Sequence, residues 1–150
     1  MKLTSFSFAD GANLPQKYTC DGQSVNPPLS FVDIPAHTTS FALVVEDTDV
    51  PRHIREDGMW YHWLVWNIPP ETTKIEEGIP PAGVFGINSG RTLGYTPPCP
   101  PNGTHRYYFK LFALSQMLDL PEGATKQELL SAMEGKILGQ AELMGTYCRQ

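Results

Sequence analysis

The sequence predicts a mainly β protein, organised as one domain over residues 1–150. Three observations lead there. The stretches 41–46, 60–68 and 107–114 are short, apolar and rich in Val and aromatic residues. Pro (14 residues) and Gly (13 residues) cluster between such stretches, which marks turns rather than low complexity. Only one segment carries a set of helix signals.

Taken in order, residues 3–8 alternate Leu3/Ser5/Ser7 against Thr4/Phe6/Phe8, the pattern of an edge strand. Tyr18–Gly22 is a turn signal, and Pro27-Pro28-Leu29-Ser30-Phe31 allows only extended or edge conformations. Phe41–Glu46 reads as a mostly buried strand. Trp60–Ile68 and Tyr107–Leu114 are strands by composition. Ile75–Gly94 is Gly-rich and reads as a long surface excursion. Thr125 with Glu128 forms a capping box, Leu129, Leu130 and Met133 give an apolar stripe, and Gly135 suits the stop, so a helix is predicted there. Gly139 and Gly145 disfavour a helix over 137–147, which is read as a strand.

Composition narrows the function classes. With 41% apolar and 18% charged residues the chain reads as globular. Its formal net charge is -5 and it has no Lys/Arg run, so it lacks the basic face that nucleic acid requires. No stretch approaches the ~18 apolar residues of a transmembrane helix. Residues 1–8 lack the apolar core of a signal peptide. The three cysteines, Cys20, Cys99 and Cys148, are odd in number with no CxxC. Three reduced thiols and a cytoplasmic location are therefore expected.

Strand alternation organises the candidate site. Phe41, Leu43, Val45 and Asp47 share one face; Trp60, His62, Leu64 and Trp66 share another; His105, Tyr107, Phe109 and Leu111 share a third. Each stripe has an ionisable residue near one end. If the strands are neighbours, Asp47, His62 and His105 converge on one rim. Asp47 and Asp49 would serve equally well as turn residues. His37 and His53 sit in loop-like sequence. Pro97, Pro98, Pro100 and Pro101 leave Cys99 as the sole backbone N–H donor of that stretch, a rigid way to hold an anion oxygen.

Several stretches resemble the phosphatidylethanolamine-binding protein family, in its bacterial and archaeal, Raf kinase inhibitor-like branch. Asp47-Thr48-Asp49-Val50-Pro51 matches D-x-D-x-P. Tyr61-His62-Trp63 with Trp66-Asn67-Ile68-Pro69, and Gly94–Tyr107 as G-Y-x-G-P-x-P-P-x-G-x-H-R-Y, follow in family order. Tyr18–Gly22 with Pro27–Ser30, and Glu142–Tyr147, are similar to the same branch. Pro97 stands where the family commonly has Gly. The resemblance implies antiparallel sheets packed face to face, a Greek-key β-sandwich with a few short peripheral helices. It also implies a pocket for phosphate-like groups bordered by Asp47, His62, His105, Tyr107, Cys99 and Pro101. Phospho-headgroup or nucleotide-like ligands, a protein partner such as a kinase, and a homodimer follow from it as expectations.

In such a pocket Asp47 would orient one imidazole, and His62 and His105 would donate to phosphate oxygens. Tyr107 would add a hydroxyl or an apolar wall. Arg106, on the opposite strand face, is expected in an ion pair. No G-x-S-x-G occurs, so binding without catalysis, and without a cofactor, is the first reading. Two alternatives stay open: a Cys99 thiol activated by His105, and a metal-dependent hydrolase with a His/His/Asp site.

Overall fold

The computed structural model describes residues 1–149. Its strands are β1 (Lys2–Thr4), β2 (Leu29–Val32), β3 (Ser40–Asp47), β4 (Trp60–Ile68), β5 (Lys74–Ile75), β6 (Val84–Phe85), β7 (His105–Leu114) and β8 (Ile137–Tyr147); α1 spans Lys126–Met133. They form two antiparallel sheets, one of order β1-β2-β5 and one of order β6-β4-β3-β7-β8.

The centre of the larger sheet is β3, whose eight residues are all buried. Its two faces meet different neighbours. Phe41, Leu43 and Val45 pack with Trp63, Val65, Phe109 and Leu111 against Leu3, Leu29, Phe31 and Ile75 of the smaller sheet. Phe31 and Phe41 meet edge-on at 5.1 Å between ring centroids. On the other face Ala42 and Val44 pack with Leu64, Trp66 and Phe112 under Leu118, Leu129 and Met133. A strand covered on both sides has no room for polar alternation, which is why 41–46 reads as a continuous apolar run.

The helix is closed as its sequence predicts. Thr125 accepts from the Glu128 amide, and Glu128 accepts from the Thr125 amide. Gly135 lies just past the end at φ 75°, a left-handed position that glycine takes without a Cβ penalty. Of its apolar residues, Leu129 and Met133 are buried, but Leu130 is 39% exposed. Adjacent residues project about 100° apart on a helix, so the stripe cannot bury all three.

Three expectations need correction. The first strand ends at Thr4 instead of Phe8, and Phe6 is solvent-exposed while Leu3 is buried. The segment after it turns to follow β8, with the Gly11 and Leu14 amides donating to Met144 and Thr146. The third long strand begins at His105, two residues before the predicted start, because β8 supplies partners as far as His105 opposite Tyr147. Nor is 75–94 simply a surface excursion. Ile75 extends the smaller sheet, and Val84–Phe85 pair with β4. At Gly86 a Cβ would lie 2.8 Å from the Ala124 carbonyl oxygen and from the Trp66 ring, so this position carries the loop close over the sheet.

Leu43 is fully buried in the inter-sheet core. Leu43→Ala is expected to lower the unfolding free energy by about 2–5 kcal/mol. Leu130→Ala on the exposed helix face should change it by less than about 0.5 kcal/mol. Urea titration of both variants checks the contrast.

Candidate ligand-binding site

Asp47 ends β3 opposite Trp60 of β4 on one side and Tyr107 of β7 on the other. The three strands are therefore neighbours, and their polar ends meet. Asp47 and His105 form the central contact, Oδ2 to Nδ1 at 2.6 Å, with both side chains buried. The other Asp47 oxygen accepts the Asp49 amide at 2.8 Å. The turn role and the site role of Asp47 are thus filled together. Asp49 receives the Arg106 guanidinium through two bonds, and this ion pair holds its carboxyl below the usual carboxylate range. Arg106 is in the ion pair expected of it, on the far face from His105.

His62 reaches the site by a route that simple alternation misses. The β3–β4 register runs Val45 opposite Trp63 but Glu46 opposite Tyr61, so His62 is the extra residue of a bulge. Unbroken alternation would have set His62 beside Leu64 and Trp66, under α1. The bulge instead turns it to the side of Trp63, edge-on to Tyr107 with ring centroids 5.4 Å apart. Thr96 secures the bulge. Its amide donates to the His62 carbonyl, and its own carbonyl accepts from His62 Nδ1, each at 2.9 Å.

These residues line a cavity of about 440 Å³. Asp47, His62, His105 and Tyr107 form its buried floor. Val50, Ile54, Trp60, Thr96 and the proline-rich loop complete the walls. Cys99 and Pro101 are on that loop and line the cavity, as does Pro97. Of the other histidines, His37 and His53 are exposed loop residues. Sequence reasoning missed Val50, Ile54, Trp60 and Thr96. Trp60 shares a strand face with Asp47 by register, a relation that appears only once the strands are paired.

The protonation pattern corrects the expected roles of the imidazoles. Burial pushes His62 down to about 4, against the opposing effects of the Thr96 hydrogen bond and the Asp47 charge. At neutral pH His62 is therefore uncharged, with its proton on Nδ1 toward Thr96. Nε2 is left as an acceptor, not the donor expected. His105 has both nitrogens engaged, Nδ1 by Asp47 and Nε2 by the Asn102 carbonyl at 3.1 Å. The Tyr107 hydroxyl is buried, and no group meets it at full hydrogen-bond geometry. Burial first, then the charge and closeness of the Asp47 carboxylate, push its pKa up, so it stays protonated.

The cysteine expectation is overturned. Cys20 and Cys99 form a disulfide, and only Cys148 is free. Their distance of 79 positions in sequence hid the pairing. The sheet brings Tyr18–Asp21 against the proline loop, where the Cys20 amide donates to the Pro98 carbonyl and Tyr95 donates to the Tyr18 carbonyl. Three reduced thiols therefore no longer point to a reducing compartment. A Cys99 nucleophile is also removed, since its sulfur is already bonded. Nor do the residues gather as a metal site. Among the described residues no group of three or more His, Cys, Asp or Glu side chains could hold a metal ion. The Asp47 oxygens and the His105 nitrogens are spent on each other and on backbone groups.

The fold is an antiparallel two-sheet sandwich with an Asp/His/His/Tyr-floored pocket beside a proline-rich loop. The chain belongs to the phosphatidylethanolamine-binding protein family, whose sequence profile matches residues 4–148. It is 53% identical over 147 residues to a UPF0098 protein of Chlamydia muridarum, covering 98% of each chain. A UPF0098 protein of Methanothermobacter thermautotrophicus is 46% identical over 155 residues, covering 99% of each. Among solved structures, a phosphatidylethanolamine-binding protein homolog from Chlamydia trachomatis superposes with a TM-score of 0.97 at 48% identity, covering 99% of this chain and 97% of that one. Escherichia coli YbcL, described as a new member of the mammalian family, gives 0.88 at 27% identity, covering 99% and 98%. Among the described residues no helix is long and apolar enough to cross a membrane.

Two measurements check this site. A disulfide closing so long a loop restricts the unfolded chain, so Cys20→Ser with Cys99→Ser is expected to cost about 2–4 kcal/mol. Cys148→Ser, in contrast, should leave the melting temperature unchanged. The second concerns pH. The folded-state pKa of His62, about 4, lies below the ordinary histidine value of 6.5. The unfolded chain therefore binds more protons between these values, and stability falls as pH drops from about 6.5 to 4. The loss attributable to His62 is about 3 kcal/mol. His62→Gln should flatten the stability profile in that window. A parallel profile would show that His62 does not carry this dependence.

Proposed function

We propose that the protein binds a small phosphate-containing ligand, of phospho-headgroup or nucleotide-like type, and does not transform it. The observation that carries this reading is the floor of the cavity. His62 Nε2 makes no protein hydrogen bond among the described residues, and the Tyr107 hydroxyl is buried without a partner. For the Tyr107 hydroxyl, a buried polar group left unsatisfied, the cost is about 1–3 kcal/mol, which a ligand oxygen would recover. The Cys99 amide, which likewise has no protein acceptor among the described residues, supplies a further donor on the wall. Val50, Ile54, Trp60 and the prolines leave apolar room for the rest of the ligand. The family name, taken from relatives that share the whole domain, supports the same ligand chemistry.

Binding without catalysis is supported by the state of the candidate nucleophile. Covalent chemistry needs a free nucleophile beside a base. The cysteine at this pocket is in a disulfide, and the His105 nitrogens are both engaged.

O-phosphoethanolamine and adenosine monophosphate, each at millimolar concentration, are the probes. A ligand at 100 times its Kd stabilises by about 2.7 kcal/mol. At least one of the two is expected to raise the melting temperature by several degrees, and Tyr107→Phe should reduce the rise. No shift with either probe would overturn the proposal.

A further inference from the structure

We infer that the pocket selects an oxyanion that carries its own proton, a phosphate monoester with one P–OH, and that His62 Nε2 accepts the hydrogen bond from that hydroxyl. This rests on the phosphate-ligand reading above and specifies its chemistry.

Few donors and acceptors on the cavity floor are free to meet a ligand. Asp47 and His105 satisfy each other at 2.6 Å, and their remaining polar atoms are taken by the Asp49 amide and the Asn102 carbonyl. Both ring nitrogens of His105 face protein oxygens, so neither is offered to a ligand. Among the described residues no lysine or arginine lines the cavity. The floor has two polar atoms left for a ligand. One is the Tyr107 hydroxyl, which can donate. The other is His62 Nε2. Because Nδ1 faces the Thr96 carbonyl at 2.9 Å, and that oxygen can only accept, the ring proton belongs on Nδ1 and Nε2 presents a lone pair.

A ligand whose polar end has only lone pairs cannot suit both atoms. A sulfate monoester, or a phosphate monoester dianion, would set an oxygen lone pair against Nε2. The phosphate monoanion has the shape and charge of the sulfate, plus one P–OH. It can accept from Tyr107 and donate to His62 at once. Sites built to bond a ligand hydroxyl reject analogues lacking it far more strongly than apolar pockets reject a size change. The alternative route is for His62 to take a proton when an unprotonated anion binds. The ionisable groups facing His62 are Asp47 from β3, and His105 and Tyr107 from β7. Of these only Asp47 favours that proton; burial and His105 oppose it.

Calorimetry of the full chain with phenyl phosphate and phenyl sulfate at pH 5.5 tests the inference. The second pKa of a phosphate monoester is about 6, so the monoanion predominates there. The phenyl ring suits the wall that Trp60 and the prolines provide. Phenyl phosphate is expected to bind at least about 10-fold tighter than phenyl sulfate, and His62→Phe to abolish that preference. Repeating the wild-type titrations in two buffers of different ionisation enthalpy counts the protons exchanged, which keeps the test decisive if the variant does not fold. Phenyl phosphate should bind with almost no proton uptake. Equal affinity for the two ligands, or uptake of about one proton with phenyl phosphate, would overturn the inference and leave the pocket reading standing. Absence of binding by both would overturn the two together.

Discussion

Burial of β3 on both faces is the constraint from which the rest of the structure follows. It buries all eight residues of the strand, including Asp47 at its end. A buried carboxylate needs partners, because the cost of an unpaired charge exceeds what a small domain can tolerate. Those partners are fixed by register. His105 is two residues before Tyr107, which lies opposite Asp47, so both project from the same face of β7. The Asp47–His105 contact that anchors the pocket is therefore a consequence of how the central strands align.

The same alignment explains why the site lies at the strand ends and not on a flat sheet face. Along most of β3 the space beside its inner face is filled by the smaller sheet. At Asp47 that cover is replaced by loops, and the cavity lies between them. The Thr96 segment is bonded to the bulge at His62 through both its amide and its carbonyl. The proline stretch beyond it is fastened to residue 20 by the disulfide and the Cys20 amide. A loop with so few donors of its own cannot build a hydrogen-bonded frame, so its position is imposed by outside attachments.

Much of this was legible from the residues. The strands at 41–46 and 60–68, the capped helix at 125–135 and the strand at 137–147 all carry local signals, namely apolar run, aromatic content, capping box and glycine content. Asp47 and His105 were legible as site residues for the same reason, since β3 and β7 keep regular alternation up to their ends. His62 was legible as a residue but not by the face assigned to it. Nothing in Tyr61-His62-Trp63 announces a bulge, because the extra residue arises from pairing with β3. Cys20 and Cys99 were illegible as a pair, because a contact across 79 positions has no local signature. Trp60 and Ile54 were missed because apolar side chains on a cavity wall look like core residues in sequence.

The sequence by itself determined the fold class, the order of the main elements and the residue types available for a polar pocket. These depend on side-chain periodicity and turn chemistry, which act over a few residues. Tertiary structure alone decided which way His62 faces, that both His105 nitrogens are taken, and that the cysteines near the pocket are joined. These depend on which groups from distant segments compete for the same lone pair, proton or space. That competition turned two expected donors into one acceptor and one closed hydrogen-bonded pair.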